Sequence, residues 1–262
     1  MNNAERAGHV EIHTLKVGGE LTDLELMCIR SWIRLDYRVY VHSYDEIYLP
    51  AGANRYDANL LMPKAKIFRN KRNGSLAVFA DVYRATMLTK IPALWLDTDI
   101  FLIRAFDFSC ENILACEDGS DVGNINNALL KLTPDSPILK EIIRRYENPY
   151  TALPWDKLGK VWQIFVKALL SGGLRAEHLS WGALGYLAIQ KTVRRSGFDG
   201  QILGPEHCLT SATCPLFDEL ADPDQFLAEP VFYVHFHQSN YDLKKKPVAP
   251  NSIMGRLLQH ME

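Results

Sequence analysis

The alternation of apolar and polar positions divides the first half of the chain into strands and helices at short intervals. Val10 to Val17 reads as a strand that runs into Gly18-Gly19. Such a strand end lets backbone approach a ligand closely, because glycine carries no side chain to block it. Thr22-Asp23-Leu24-Glu25 has the form of a capping box, with Thr22 as N-cap and Glu25 three residues on. The helix it opens is predicted to reach about Leu35, with Leu24, Cys28, Trp32 and Leu35 along one face. Tyr37 to Ser43 follows as a strand, with Val39 and Val41 on one side and Tyr40 on the other. Strand, helix and strand within ~35 residues make one βαβ unit.

Tyr48 to Ile67, with Pro50, Gly52 and Pro63, reads as loop with a short strand. Ser75 is placed to cap a helix from Leu76 to about Lys90, with Leu76, Phe79, Tyr83 and Met87 as its buried stripe and Pro92 as its stop. Ala93 to Leu96 is a short apolar strand, of the kind buried on both faces. Beyond it the pattern turns more helical, over Pro137 to Tyr146, Lys157 to Leu170 and Trp181 to Val193, before a late strand from Val231 to His237. The expected fold class is α/β. A nucleotide-binding half over residues 1–110 merges with a more helical half over 111–262 that closes over it, in one compact unit.

Composition narrows this picture. The chain has 262 residues, 47% apolar and 23% charged, enough to bury a core without staples. Lysine plus arginine number 29 against 31 acids, a balance that excludes a general nucleic-acid binder. The run Lys244-Lys245-Lys246 is either a solvated tail or a phosphate contact. Met1 to His9 is polar, and no segment nears the ~18 apolar residues of a membrane span. The five cysteines form no Cys-x-x-Cys, so buried free thiols and a reducing, cytoplasmic setting are expected.

The candidate chemistry centres on Leu96-Asp97-Thr98-Asp99. In a strand, residues two apart face one side, so Asp97 and Asp99 can address one point in space. Two ionised carboxylates there repel unless a cation lies between them, and oxygen ligands suit Mg²⁺ or Mn²⁺. The end of a strand in an open α/β sheet is also where ligands bind. The alternative is a turn with two solvated acids. On the preceding helix Asp81 and Arg84 lie one turn apart. They form either a surface ion pair or a charged pair at the sheet edge that meets ribose or phosphate. Asn126 and Asn127 follow Asn124 in what reads as a polar loop, where Asx-turn chemistry competes with a role in a site. His235 and His237 share one face of the late strand.

Phe79-Ala80-Asp81-Val82-Tyr83-Arg84 followed by Leu96-Asp97-Thr98-Asp99 resembles the paired signature of the DXD-containing sugar transferases of glycosyltransferase family 32, shared by the catalytic domains of clostridial glucosylating toxins. Leu21 to Ser31, Ser43-Tyr44-Asp45, Asn124 to Ala128 and Trp181 to Tyr186 resemble the bacterial branch of that family. The resemblance implies a GT-A fold with a mixed, mostly parallel central sheet flanked by helices, a nucleotide-sugar donor (usually a UDP-sugar), Mn²⁺ or Mg²⁺, and retention of anomeric configuration. Carried over by position, Asp97 contacts ribose and metal, Asp99 is the firmer metal ligand, and Asp81 and Arg84 hold the donor. Asn127 joins the two aspartates as a catalytic candidate, and His235 matches the late metal-ligating histidine. Lys16, with Gly18 beside it, stands where the family carries a tryptophan that stacks on the base. Lys90-Ile91-Pro92 replaces its Gly-Gly. Trp162 and Trp181 are expected in the core rather than as sugar platforms.

The reading is a metal-dependent glycosyltransferase acting on a glycan, lipid-linked or protein hydroxyl, in the manner of polysaccharide or lipopolysaccharide assembly. It is expected in the cytoplasm of a bacterium, and peripheral contact with the inner membrane is compatible with the sequence. Its rivals are a non-catalytic sugar-nucleotide binding module and a metal-dependent phosphohydrolase. No Gly-x-x-x-x-Gly-Lys loop, Gly-x-Gly-x-x-Gly turn or Ser/His/Asp nucleophile motif is present.

Overall fold

The computed structural model describes residues 10–117, 125–149, 158–170, 173, 175–180, 182–211, 214–237, 248–259 and 261. The first strand, β1 (Glu11–Lys16), feeds helix α1 (Asp23–Arg34) and returns as β2 (Arg38–Ser43). β2 pairs parallel to β1. The capping box forms as read: Thr22 Oγ1 accepts from Glu25 N at 3.2 Å, and Thr22 N donates to Glu25 Oε2 at 2.7 Å. β3 (Ala53–Asp57) is the short strand of the following loop. Helix α2 (Ala77–Leu88) begins where Ser75 Oγ accepts from Ala77 N at 3.0 Å. It leads to β4 (Leu94–Leu96), buried throughout.

The second half holds more sheet than its pattern suggested. After β5 (Ile100–Leu102) come β6 (Ile113–Cys116), β7 (Ile125–Lys131), α3 (Pro137–Glu147), α4 (Leu158–Leu170), α5 (Tyr186–Ser196), β8 (Gln201–Leu203), β9 (Cys208–Thr210), β10 (Tyr233–His235) and α6 (Ile253–Gln259). Asn126 and Asn127 therefore lie within β7, not in a loop. Trp181 is outside the described residues. Glycines at 182 and 185 delay the last long helix until Tyr186, and Gly182 has φ +74.

The main sheet runs β3-β2-β1-β4-β7-β6-β8, and β5-β10-β9 form a second sheet. β7 is antiparallel to β4 and β6, while the other pairings of the main sheet are parallel. This is the mixed, mostly parallel sheet flanked by helices that the resemblance implies. The sheet buries both faces. Leu94 and Leu96 pack with Leu24, Cys28 and Trp32 of α1 on one side. Trp95 packs with Phe79, Tyr83 and Met87 of α2 on the other, beside Leu139 of α3 and Ile189 of α5. Alternation along β4 thus divides one strand between two cores, each burying large side chains at about 25 cal/mol per Å².

The five cysteines form no disulfide, and Cys110 alone is only half-buried. Trp162 departs from expectation: it is 66% exposed on α4 rather than part of the core. No helix among the described residues is long and apolar enough to cross a membrane.

Candidate active site

β4 stops at Leu96, so Asp97 and Asp99 do not owe their placement to strand alternation. Residues 97–99 form a tight turn in which Ile100 N donates to Asp97 O at 3.1 Å. Each sheet holds one side of this turn. Asp97 N donates to Ala128 O of β7 at 2.8 Å, and Phe236 N, just past β10, donates to Asp99 O at 3.1 Å. Its middle residue is tied to α1, where Thr98 Oγ1 donates to Glu25 Oε1 at 2.9 Å. Glu25 is buried and its other oxygen accepts from Lys16 Nζ at 2.6 Å. The capping glutamate is thus also the clamp on the aspartate turn. Lys16 reaches that turn through Glu25. Gly18 and Gly19 follow β1 with φ of +71 and +68, an exposed left-handed turn that favours glycine.

Asp81 and Arg84 are not a surface ion pair: both are 5% exposed. Arg84 Nη2 lies 3.5 Å from Asp81 Oδ1, and Arg84 Nη1 lies 3.3 Å from Asp97 Oδ1. The guanidinium also donates to Asn127 O in a short contact and stands 5.2 Å above the Trp95 ring. Trp95 Nε1 donates to Asp97 Oδ1 at 2.7 Å. Asn127 Nδ2 donates to Asp81 Oδ1 at 2.6 Å. Burial pushes the Asp81 carboxyl up to about 6; Arg84 opposes this and Asp97 adds to it. A Cβ on Gly185, at the start of α5, would lie 2.6 Å from both Asn127 Nδ2 and Asp81 Oδ2. Only glycine lets α5 come this close.

β10 supplies the third part. It pairs antiparallel with β5, which sets His235 opposite Ile100 and next to Asp99. His235 Nε2 lies 3.6 Å from Asp99 Oδ1, beyond a hydrogen bond. On its other side, Nδ1 lies 2.6 Å from Glu117 Oε1, and His237 Nε2 lies 3.2 Å from Glu117 Oε2. Burial raises the pKa of Asp99; His235 opposes this and Asp97 reinforces it. Burial works against the charged form of His235, yet Glu117 and Asp99 outweigh it and its pKa is raised. Burial also works against ionised Glu117, but hydrogen bonds from His235 and His237 bring it down to about 2.

The fold therefore gathers Asp97, Asp99 and His235 at one turn, with Arg84, Asp81 and Asn127 beside it. Two carboxylates and an imidazole can hold a divalent cation, and the mixed oxygen and nitrogen set suits Mn²⁺. Glu117, His235 and His237 also place ligand atoms within 4.8 Å of one another. Sequence reasoning passed over Glu117, Glu25, Trp95 and Gly185. For Glu117 a signal existed, since it follows the apolar run Ile113–Cys116 as Asp97 follows Ala93 to Leu96. Asn124 and Lys244 to Lys246 lie outside the described residues.

Acids, an imidazole and an arginine gathered at the strand ends of an α/β sheet can hold an anionic ligand, directly or through a cation. No protein-family model matches the chain, and no curated protein matches it. Among solved structures it is similar to the PaToxG glycosyltransferase, at 12% identity over 71% of this chain and 69% of that one, with TM-score 0.46. It is also similar to the galactosyltransferase LgtC in complex with donor and acceptor sugar analogues, at 11% identity, 96% and 95% coverage and TM-score 0.43. A third is the glycosyltransferase GlyE of Streptococcus pneumoniae TIGR4, at 13% identity, 97% and 60% coverage and TM-score 0.40.

Proposed function

We propose that the chain is a divalent-metal-dependent glycosyltransferase that moves a sugar from a nucleotide-sugar donor, a UDP-sugar, to a hydroxyl acceptor with retention. The observation that carries this is the convergence of Asp97 and Asp99 with His235, from a different sheet, and with Arg84, from α2. Asp99, Asp97 and His235 would hold the metal. A bound Mn²⁺ or Mg²⁺ supplies Lewis-acid stabilisation of the departing diphosphate. Arg84, already against Asp97, meets the donor's anionic or hydroxyl groups with a planar, always-charged fork. Asp81 and Asn127 orient each other and accept or donate hydrogen bonds to the sugar. The lid of α5 over Asp81 excludes water from that side. Acceptors of the fitting class are hydroxyls of a glycan, a lipid-linked sugar or a protein, as in polysaccharide or lipopolysaccharide assembly.

The test is Mn²⁺-dependent hydrolysis across a panel of nucleotide sugars, with and without chelator. Asp99→Asn should abolish the signal while still unfolding cooperatively in urea. Full metal-dependent turnover in that variant sinks the site assignment. Release of inorganic phosphate identifies a phosphohydrolase instead, and binding of UDP and Mn²⁺ without turnover of any donor identifies a binding module.

A further inference from the structure

We propose that Glu117 is a positioning residue: it fixes the ring of His235 so that Nε2 faces the Asp97–Asp99 turn, with His237 closing the far side of Glu117. This rests on the metal-dependent reading above. Asn126 Oδ1 accepts from Ala128 N at 2.6 Å, which orients the amide so that Nδ2 faces Glu117. Nδ2 then donates to Glu117 Oε1 in a short contact, the same oxygen that lies 2.6 Å from His235 Nδ1. Nδ1 has two neighbours here, the donor Asn126 Nδ2 at 2.8 Å and the acceptor Glu117. An ionised carboxylate oxygen can only accept, so the 2.6 Å contact with Glu117 Oε1 puts the imidazole proton on Nδ1, directed to Glu117. Nε2 is left with a lone pair on the side of Asp99, 3.6 Å away. A ring held through one nitrogen by a carboxylate and open at the other is how metal-ligating histidines are prepared.

His237 completes the arrangement. Its φ of 57 is rare outside glycine and turns the chain directly after β10. The turn sets its ring 3.8 Å from that of His235 and its Nε2 against Glu117 Oε2. With Asn126 and His235 on one oxygen and His237 on the other, Glu117 is engaged as an acceptor at both ends. That suits a support for the ligand better than a ligand.

Two measurements test this. In metal-free, ¹⁵N-histidine-labelled protein, long-range NMR should show His235 as the Nδ1–H tautomer, kept in Glu117→Gln and lost or mixed in Glu117→Ala. Mn²⁺ affinity in the presence of UDP, read by electron paramagnetic resonance of the free ion, should fall about 10–100-fold in Glu117→Ala and stay near wild type in Glu117→Gln. In a His235→Ala background, where the aspartates still bind Mn²⁺ weakly, Glu117→Ala should add nothing. An Nε2–H tautomer in the wild type overturns the proposal. So does an equal loss from Glu117→Ala with His235 already gone, which would make Glu117 a direct ligand. If wild type binds no Mn²⁺, the metal reading fails, and the tautomer still decides the role of Glu117.

A separate observation concerns α4. Trp162, Phe165, Leu169 and Leu170 are 66%, 59%, 75% and 82% exposed, and the first two rings stack at 5.9 Å. Trp162, Phe165 and Leu169 follow helical spacing and share one face. From Lys157 to Arg175 the sequence carries Lys157, Lys160, Lys167 and Arg175 and no acid, in a chain of net charge -2. We infer that this face docks on an anionic lipid surface, the partner that suits an aromatic-apolar helix face in a locally basic stretch. Wild type should sediment with vesicles of phosphatidylcholine containing about one-third phosphatidylglycerol, and far less with phosphatidylcholine alone. Trp162→Ser, Phe165→Ser and Leu169→Ser together should reduce binding at least ~10-fold without moving the urea midpoint. Equal sedimentation of the two proteins overturns the inference. A wild-type dimer that the triple variant abolishes, with no vesicle binding, also overturns it and makes the face a contact between copies of this chain.

Discussion

Asp81→Asn should stabilise the protein at neutral pH and lose most of that gain in acid. Asp81 is 5% exposed, with Asn127 Nδ2 at 2.6 Å and Arg84 Nη2 at 3.5 Å. Burial lifts its pKa from the ordinary 3.8 to about 6, against Arg84 and with help from Asp97. A carboxyl whose pKa is raised by folding favours the native state in its protonated form. That contribution is fully present below pH 3.8 and is lost as the pH rises through about 6. At about 1.4 kcal/mol per pH unit, the ionised group costs the fold about 3 kcal/mol at neutral pH. Asparagine keeps the shape and an acceptor for Asn127 Nδ2 but cannot ionise. Measured by urea unfolding in metal-free buffer, the stability of Asp81→Asn relative to wild type should rise by about 2–3 kcal/mol between pH 4 and pH 7.5. Other titrating groups are common to both proteins and cancel in the comparison. A relative stability unchanged within ~0.5 kcal/mol across that range would refute the argument that Asp81 is ionised against its surroundings. Donor turnover should fall in the same variant, a site held at a cost in stability for the sake of its charge.

Three further outcomes follow from the same geometry. Gly185→Ala should cost about 1–3 kcal/mol in urea unfolding and reduce turnover, since the new methyl must displace Asp81 or Asn127; wild-type values of both would disprove that close approach. Glu25→Ala should cost about 3 kcal/mol, because Lys16 loses its partner and Thr98 its anchor; a loss below ~1 kcal/mol would show the clamp to be dispensable. Trp95→Phe removes the indole N–H from Asp97 and should weaken Mn²⁺-UDP binding by calorimetry by about 1–2 kcal/mol, whereas unchanged affinity would count against Asp97 needing that support.

Local rules made much of the first hundred residues legible. The capping box at Thr22, the strand before Gly18 and the apolar run ending at Asp97 each carry their structure in adjacent residues, and each formed. The pairing of Asp81 and Arg84 on one helix was also readable from a spacing of three. Their burial was not, because it depends on β7 and α5, which arrive more than forty residues later. The asparagines at 126 and 127 read as loop because polar residues interrupt the strand pattern. They sit in β7 with their amides on side chains outside the strand, Asn126 on Glu117 at the end of the neighbouring β6 and Asn127 on Asp81, 46 residues earlier.

What the chain determined by itself was which residues carry charge and where short elements begin and end, since helix caps and strand periodicity act within a few residues. The tertiary structure decided that Asp99 meets His235, that Glu117 stands behind His235, and that Lys16 and Thr98 share Glu25. Thr98 and Glu25 are 73 residues apart, Glu117 and His235 118, and Asp99 and His235 136, and only the packing of two sheets and the helices between them brings such distant side chains together.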